Sequence, residues 1–279
     1  GRKAMDNRPI GVLDSGMGGL TAVRELLRVM PEEDIVYFGD TGRVPYGTRS
    51  PEIVVQYAIQ DINFLLRKGV KMVIAACGTV TTTLPQKLTE GFTFPYTGVL
   101  IPTVQAAAAA TCNGKIGVIA TATTIRTGAY ERELKKLDPE LQVVSRACPL
   151  FVPLVENGYV ERENQVTRLV AEDYLKPIKE SGCDTLILGC THYPVIAGII
   201  GDLMGPSVTL IDSGRAAADH ARRILEEKEL LAGRDGKGSS SFFVSDDPAQ
   251  FAQNAALFLG GQFRGRVEKV DITAYPDTI

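Results

Sequence analysis

Two short segments of this chain carry residue types suited to proton transfer. Cys77-Gly78-Thr79 ends the apolar run Met72–Ala76, and Cys190-Thr191-His192 ends the run Leu186–Leu188. A thiol can serve as a base and, once protonated, as an acid near neutral pH. Each run reads as a strand followed by helical sequence. That placement sets both sulfurs at helix N-termini, where backbone N–H groups are expected to push them toward thiolate. His192 stands two residues from Cys190, close enough in sequence to raise its thiolate population or relay a proton. A lone free cysteine is usually a small buried apolar residue. Two at matching strand ends, each with Thr or His beside it, are a stronger signal. Cys112, Cys148 and Cys183 lack that setting and read as structural.

Other segments fall near the same strand ends. Asp14-Ser15-Gly16-Met17-Gly18-Gly19 follows the first apolar run and opens a helix, so small residues there let an anion reach backbone N–H groups. Gly16 and Gly18, with Asp40 downstream, partly fit a dinucleotide-binding loop. Thr21 occupies the third glycine position, however, and Asp14 adds an acid where pyrophosphate would approach. Val44-Pro45-Tyr46-Gly47 reads as a turn that can present a tyrosine hydroxyl and a glycine N–H. Thr81 to Thr83 and the stretch Thr121 to Thr127 supply hydroxyls, some of them helix caps. Glu156 is an acid within an apolar run, either a functional group with a raised pKa or an exposed edge. His220 reads as a surface helix residue.

These segments need a scaffold that brings distant strand ends together. Ile10–Leu13, Ile35–Phe38, Met72–Ala76, Tyr96–Leu100, Ile116–Ala120, Leu141–Val144, Leu186–Leu188 and Val208–Ile211 read as buried strands. Helical patterns such as Pro51–Arg67 and Glu161–Lys179 alternate with them. Continuous apolar strands separated by helices imply an α/β fold of mainly parallel sheet covered on both faces. A faint duplication argues for two open sheets over one closed barrel. Ile10 to Ser15 resembles Ile116 to Thr121, and Gly69 to Thr79 parallels Gly182 to His192, with Cys77 opposite Cys190. Each half then places one cysteine at the carboxyl end of a parallel strand, where open α/β sheets bind ligands.

Composition narrows the function class. The chain has 279 residues, 44% apolar, with 30 basic and 33 acidic side chains and a net charge of −3. It carries no basic footprint for nucleic acid or anionic membrane, and no apolar run long enough to span a bilayer. Residues 1–9 hold no signal-peptide core. Met5 is the expected natural start, with Gly1 to Ala4 a remnant ahead of it. Five cysteines without a C-x-x-C pair point to reduced thiols, hence a cytoplasmic protein, and to no metal site.

With Asp14-Ser15-Gly16, Pro45-Tyr46-Gly47, Cys77 and Cys190-Thr191-His192-Tyr193-Pro194 in this order, the chain resembles the glutamate racemases, from about Ile10 to Ile211. Related aspartate racemases usually carry an acid where His192 stands, so His192 favours glutamate. The resemblance implies two pseudo-twofold α/β domains with the active site in the cleft between them. It places residues 1–99 plus 213–279 in the first and 100–212 in the second. It further implies cofactor-independent racemisation supplying D-glutamate for peptidoglycan, with no cofactor or metal, glutamate as small-molecule partner, no nucleic acid or membrane, and a homodimer. By the same resemblance Cys77 and Cys190 are the acid/base thiols, assisted by Asp14 and His192 respectively, with Glu156 a further candidate near Cys190. Asp14, Ser15, Tyr46, Gly47, Gly78, Thr79, Thr121, Thr124, Thr191 and His192 would contact substrate. One departure stands out: the family usually has Asn where this chain has Gly78, so an amide contact is lost while the Gly78 N–H remains. Racemisation of another acidic amino acid, an inactive binding homologue, and nucleotide binding at Asp14–Gly19 are the alternatives.

Overall fold

The computed structural model describes residues 5–279; the expected remnant Gly1 to Ala4 lies outside the described residues. Ten strands occur among the described residues: β1 (Ile10–Asp14), β2 (Ile35–Gly39), β3 (Met72–Ala75), β4 (Tyr96–Thr97), β5 (Lys115–Ala120), β6 (Gln142–Ala147), β7 (Thr185–Leu188), β8 (Thr209–Asp212), β9 (Ser240–Val244) and β10 (Val267–Lys269). They form two sheets, ordered β10-β9-β2-β1-β3-β4 and β6-β5-β7-β8, with every pair parallel. Every residue of β1, β2, β3 and β7 is buried, which is why these strands read as unbroken apolar runs. The two-domain, mainly parallel α/β architecture expected from the sequence is the one observed.

The duplication extends to topology. Strands β2-β1-β3-β4 and β6-β5-β7-β8 follow the same order, so β1 corresponds to β5 and β3 to β7. The helices feeding β3 and β7 correspond as well. Pro51–Arg67 is capped by the Ser50 hydroxyl on Ile53 N–H, and Gln165–Glu180 by the Asn164 side chain on Thr167 N–H. Each helix is followed within two residues by a glycine at φ +73°, Gly69 and Gly182, that turns the chain into the strand. This left-handed backbone is one that glycine adopts without a Cβ penalty.

Two expectations about strands are corrected. Tyr96–Leu100 is a strand only at Tyr96–Thr97, and Leu100 begins the helix Leu100–Ala110. Strands β9 and β10 were not expected, because Ser240-Ser241 and the exposed Glu268-Lys269 break the apolar pattern. After β8 the helix Ser213–Glu227 packs its small residues Ala217, Ala218 and Ala221 into the core and leads the chain back to the first sheet. No helix among the described residues is long and apolar enough to cross a membrane, and no cluster of possible metal ligands occurs among them.

Candidate active site

The order β2-β1-β3 makes the chain leave β1 to one side and return on the other. The loops after β1 and β3 therefore diverge and leave a crevice at their carboxyl ends. The same holds for β5 and β7. The two crevices face one another around a cavity of about 330 Å³. Its wall includes every residue expected to act on substrate or contact it: Asp14, Ser15, Tyr46, Gly47, Cys77, Gly78, Thr79, Thr121, Thr124, Glu156, Cys190, Thr191 and His192. Cys112, Cys148 and Cys183 lie elsewhere. His220, expected at the surface of its helix, is half-buried on the wall of a different groove.

The two sulfurs sit in unlike surroundings. Cys77 is buried, and its Sγ lies 3.6 Å from the Ser15 hydroxyl. Burial, reinforced by the neighbouring Asp14 carboxyl, pushes the Cys77 thiol up to about 12. This corrects the expectation of a helix-activated thiolate. Cys77 does precede a helix, but Gly78–Thr83 is only six residues long, and desolvation outweighs its N–H groups. Asp14 is itself raised by burial, although Gly16 and Gly19 N–H groups donate to its Oδ2 at 3.1 and 3.0 Å.

Cys190 is half-exposed to the cavity and lies 3.9 Å from His192 Nδ1. No α-helix begins there. A 3-10 turn, Tyr193–Ile196, comes first, and regular helix starts at Ala197. The charge beside Cys190 comes instead from His192, whose Nε2 meets Glu156 Oε1 at 2.9 Å. Burial disfavours the imidazolium, but the contacts to Cys190 and Glu156 prevail and raise His192 to about 10. Glu156 is thus the partner of His192 at the partly exposed rim of the cavity.

Several hydroxyls are already committed. Thr121 caps the helix Ala122–Thr127 and donates to Thr124 Oγ1 at 3.2 Å. Tyr46 lines the cavity, yet its hydroxyl is turned away and bonds the buried Asp40 and Asp61. This overturns the expectation that the Tyr46 hydroxyl meets the ligand. The dinucleotide reading fails for the same reason: Asp40 is fully buried and held by Tyr46, Arg43 and Ser245.

Sequence reasoning missed the groups that clamp the two halves. Thr123 donates to the Gly47 carbonyl across the cleft. The Thr21 hydroxyl lies 3.0 Å from Thr191 O and 2.9 Å from Gly18 O, and its single hydrogen is shared between the two carbonyls. A Cβ on Gly18 would lie 2.1 Å from Thr191 Oγ1 and 2.6 Å from His192 Nδ1. Gly18 therefore serves close approach of the second domain, not of an anion. Pro149, Val152 and Pro153 supply an apolar wall that no local motif announced.

Comparison with known proteins agrees with this site. The Asp/Glu/hydantoin racemase family model matches residues 12–221. The chain is 44% identical to the glutamate racemase of Geobacter metallireducens, over 96% of this chain and 98% of that one. Glutamate racemase isoform RacE1 from Bacillus anthracis superposes with TM-score 0.89 at 38% identity, covering 95% and 98% of the two chains. A Francisella tularensis glutamate racemase, solved with D-glutamate, gives TM-score 0.87 at 36% identity over 97% and 100%. Two mirrored strand-end cysteines on a shared cavity, on this fold and among these relatives, mean that the chain belongs to the Asp/Glu/hydantoin racemase family and, within it, to the glutamate racemases.

Proposed function

We propose that the protein interconverts L- and D-glutamate by two-base proton transfer between Cys77, Cys190 and the substrate α-carbon. The observation that carries this reading is the placement of one sulfur from each pseudo-symmetric half on a single cavity, Cys77 beside a carboxyl and Cys190 beside an imidazole. Cys77 is a thiol, so it is the acid. Cys190, on the same cavity with His192 Nδ1 3.9 Å from its sulfur, is the one we assign as base. The Cα–H bond breaks toward Cys190, forming S–H. The Cys77 S–H breaks and its proton forms the new Cα–H bond on the opposite face. The sulfurs then exchange roles for the reverse direction. A single base would return the proton to the face it left.

Carbanion formation is the difficult step. Preorganised donors on the substrate carboxylate lower that barrier, and the N–H groups and hydroxyls of Ser15, Gly78, Thr79 and Thr191 are the ones we assign. Asp14 accepts the substrate ammonium, and the arriving positive charge eases ionisation of both Asp14 and Cys77. A cleft that closes on the substrate would add desolvation. The reaction runs without cofactor or metal and supplies D-glutamate for peptidoglycan in a cytoplasmic, homodimeric protein. Among the described residues, we assign 5–99 with 213–279 to one domain and 100–212 to the other.

Circular dichroism of L-glutamate and, separately, D-glutamate tests this reading, with dialysed, reduced protein and no added pyridoxal phosphate. Both signals should decay to zero. Cys77→Ser and Cys190→Ser should each slow racemisation at least about 100-fold, the scale of one acid–base group, with little change in Tm. Unchanged signals with wild-type protein, its thiols confirmed reduced, would sink the reading. A parallel run on aspartate separates the two substrates.

A further inference from the structure

Behind the cavity wall lies a buried cluster that the racemisation chemistry does not use. Asp40 and Asp61 are both fully buried, and Tyr46 is almost so. Tyr46 Oη lies within hydrogen-bond distance of Asp40 Oδ2 and, at 2.7 Å, of Asp61 Oδ2. A phenol carries one hydrogen, so it can donate to only one of these carboxyls. Asp40 is well supplied with donors: Arg43 Nε at 2.7 Å and Ser245 Oγ at 2.7 Å, besides Tyr46. Asp61 has only Arg43, at 3.3 Å on its other oxygen. One guanidinium among two carboxyls also leaves the cluster one negative charge in excess if both ionise, away from solvent. A hydrogen on Asp61 Oδ2 removes the excess charge and supplies the missing donor.

We propose that Asp61 is held as a neutral carboxylic acid that donates to Tyr46, which donates to Asp40, and that this chain makes Asp61 a positioning residue for the Tyr46–Thr48 turn on the substrate cavity.

The turn matters because its Gly47 carbonyl takes the Thr123 hydroxyl from the opposite domain. Asp61 sits on the helix Pro51–Arg67, so the chain ties that helix to the turn, and the turn to the clamp across the cleft. Gln60, on the same helix, holds Arg43 from the other side and is itself anchored on the Tyr275 carbonyl at 3.0 Å. The charged and titratable groups facing Asp61 are Asp40, Arg43 and Tyr46, with Asp14 further off. Burial, then repulsion from Asp40, holds the Asp61 carboxyl well above the usual carboxylate range, in line with the hydrogen count.

The proposal rests on the racemase reading for its kinetic arm only. Infrared spectra of wild type at pH 8, differenced against Asp61→Asn with ¹³C-aspartate labelling, should show a protonated-carboxyl C=O band in wild type alone. Asp61→Ala should raise KM for glutamate about tenfold, the scale of one lost buried hydrogen bond, with kcat within about threefold. Asp61→Asn, which keeps a neutral donor, should restore KM to within about twofold of wild type. Absence of the band, or an Asp61→Asn variant as impaired as Asp61→Ala, overturns the proposal. If Asp61→Ala does not fold, the band and the Asp61→Asn kinetics still decide it. The band reads the proton without turnover, so failure of the racemase reading is seen separately, as wild-type protein without activity.

Discussion

Cys77 and Cys190 occupy equivalent strand ends, yet one is paired with a carboxyl and the other with an imidazole. The consequence is testable through His192. Its pKa in the folded protein is raised to about 10, against an unfolded value near 6.5. A raised pKa stabilises the fold fully below the unfolded value, and that stabilisation is lost as pH rises through the folded value. The Tm difference between wild type and His192→Asn should therefore be largest near pH 6 and shrink toward zero above pH 10. A difference that grows with pH would show that His192 is buried neutral. Gly78 permits a second test at this scale. A Cβ there would lie 3.3 Å from the Gly189 carbonyl and 3.6 Å from Thr124 Oγ1, so it fits with a shift of a few tenths of an ångström. Gly78→Asn should be tolerated and lower KM for glutamate. A large fall in kcat would mean that the loop is built differently from that of relatives with Asn.

At the scale of elements, the repeated helix–glycine–strand unit delivers each cysteine. Gly69 has φ +73°, and a methyl group there would meet nothing within 4 Å, so only the backbone opposes a side chain. Gly69→Ala should lose about 1 kcal/mol in urea unfolding, the usual left-handed penalty, with kcat/KM unchanged because the site lies at the other end of β3. Thr21, in the helix Leu20–Val29, ties that helix to the loop bearing Cys190. Thr21→Val keeps the volume and removes the donor, leaving the Thr191 carbonyl short of a partner. A loss of about 1 kcal/mol in stability is expected, with a several-fold fall in kcat/KM for glutamate. A stability loss without a kinetic effect would show that the tie does not position Cys190.

At the scale of the whole molecule, the active site exists only because two sheets meet. Gly18→Ala should force the domains apart at Thr191 and His192. Its kcat/KM should fall at least about tenfold, as misplacement of about 1 Å does in a site that depends on positioning. Equal activity would show that the loop yields instead.

Local features were legible in the residues alone. Apolar runs identified eight of the strands, most directly β1, β2, β3 and β7, which are buried throughout and carry few polar residues; β6 was expected to be buried too, but as an edge strand it has no buried residue. Residue types at strand ends marked Cys77, Cys190, Asp14 and His192, and all four line the cavity. Other features arose only from packing between distant segments. Strands β9 and β10 lack an unbroken apolar signature; β9 is a strand because β2 offers an edge, and β10 because β9 then offers the next. The direction of the Tyr46 hydroxyl depends on Asp40 and Asp61, six and fifteen residues away. The acid setting of Cys77 comes from desolvation, which no spacing encodes. Burial and cross-domain contact depend on the summed packing of distant segments, so they become physical properties of a residue only once the chain has closed around it.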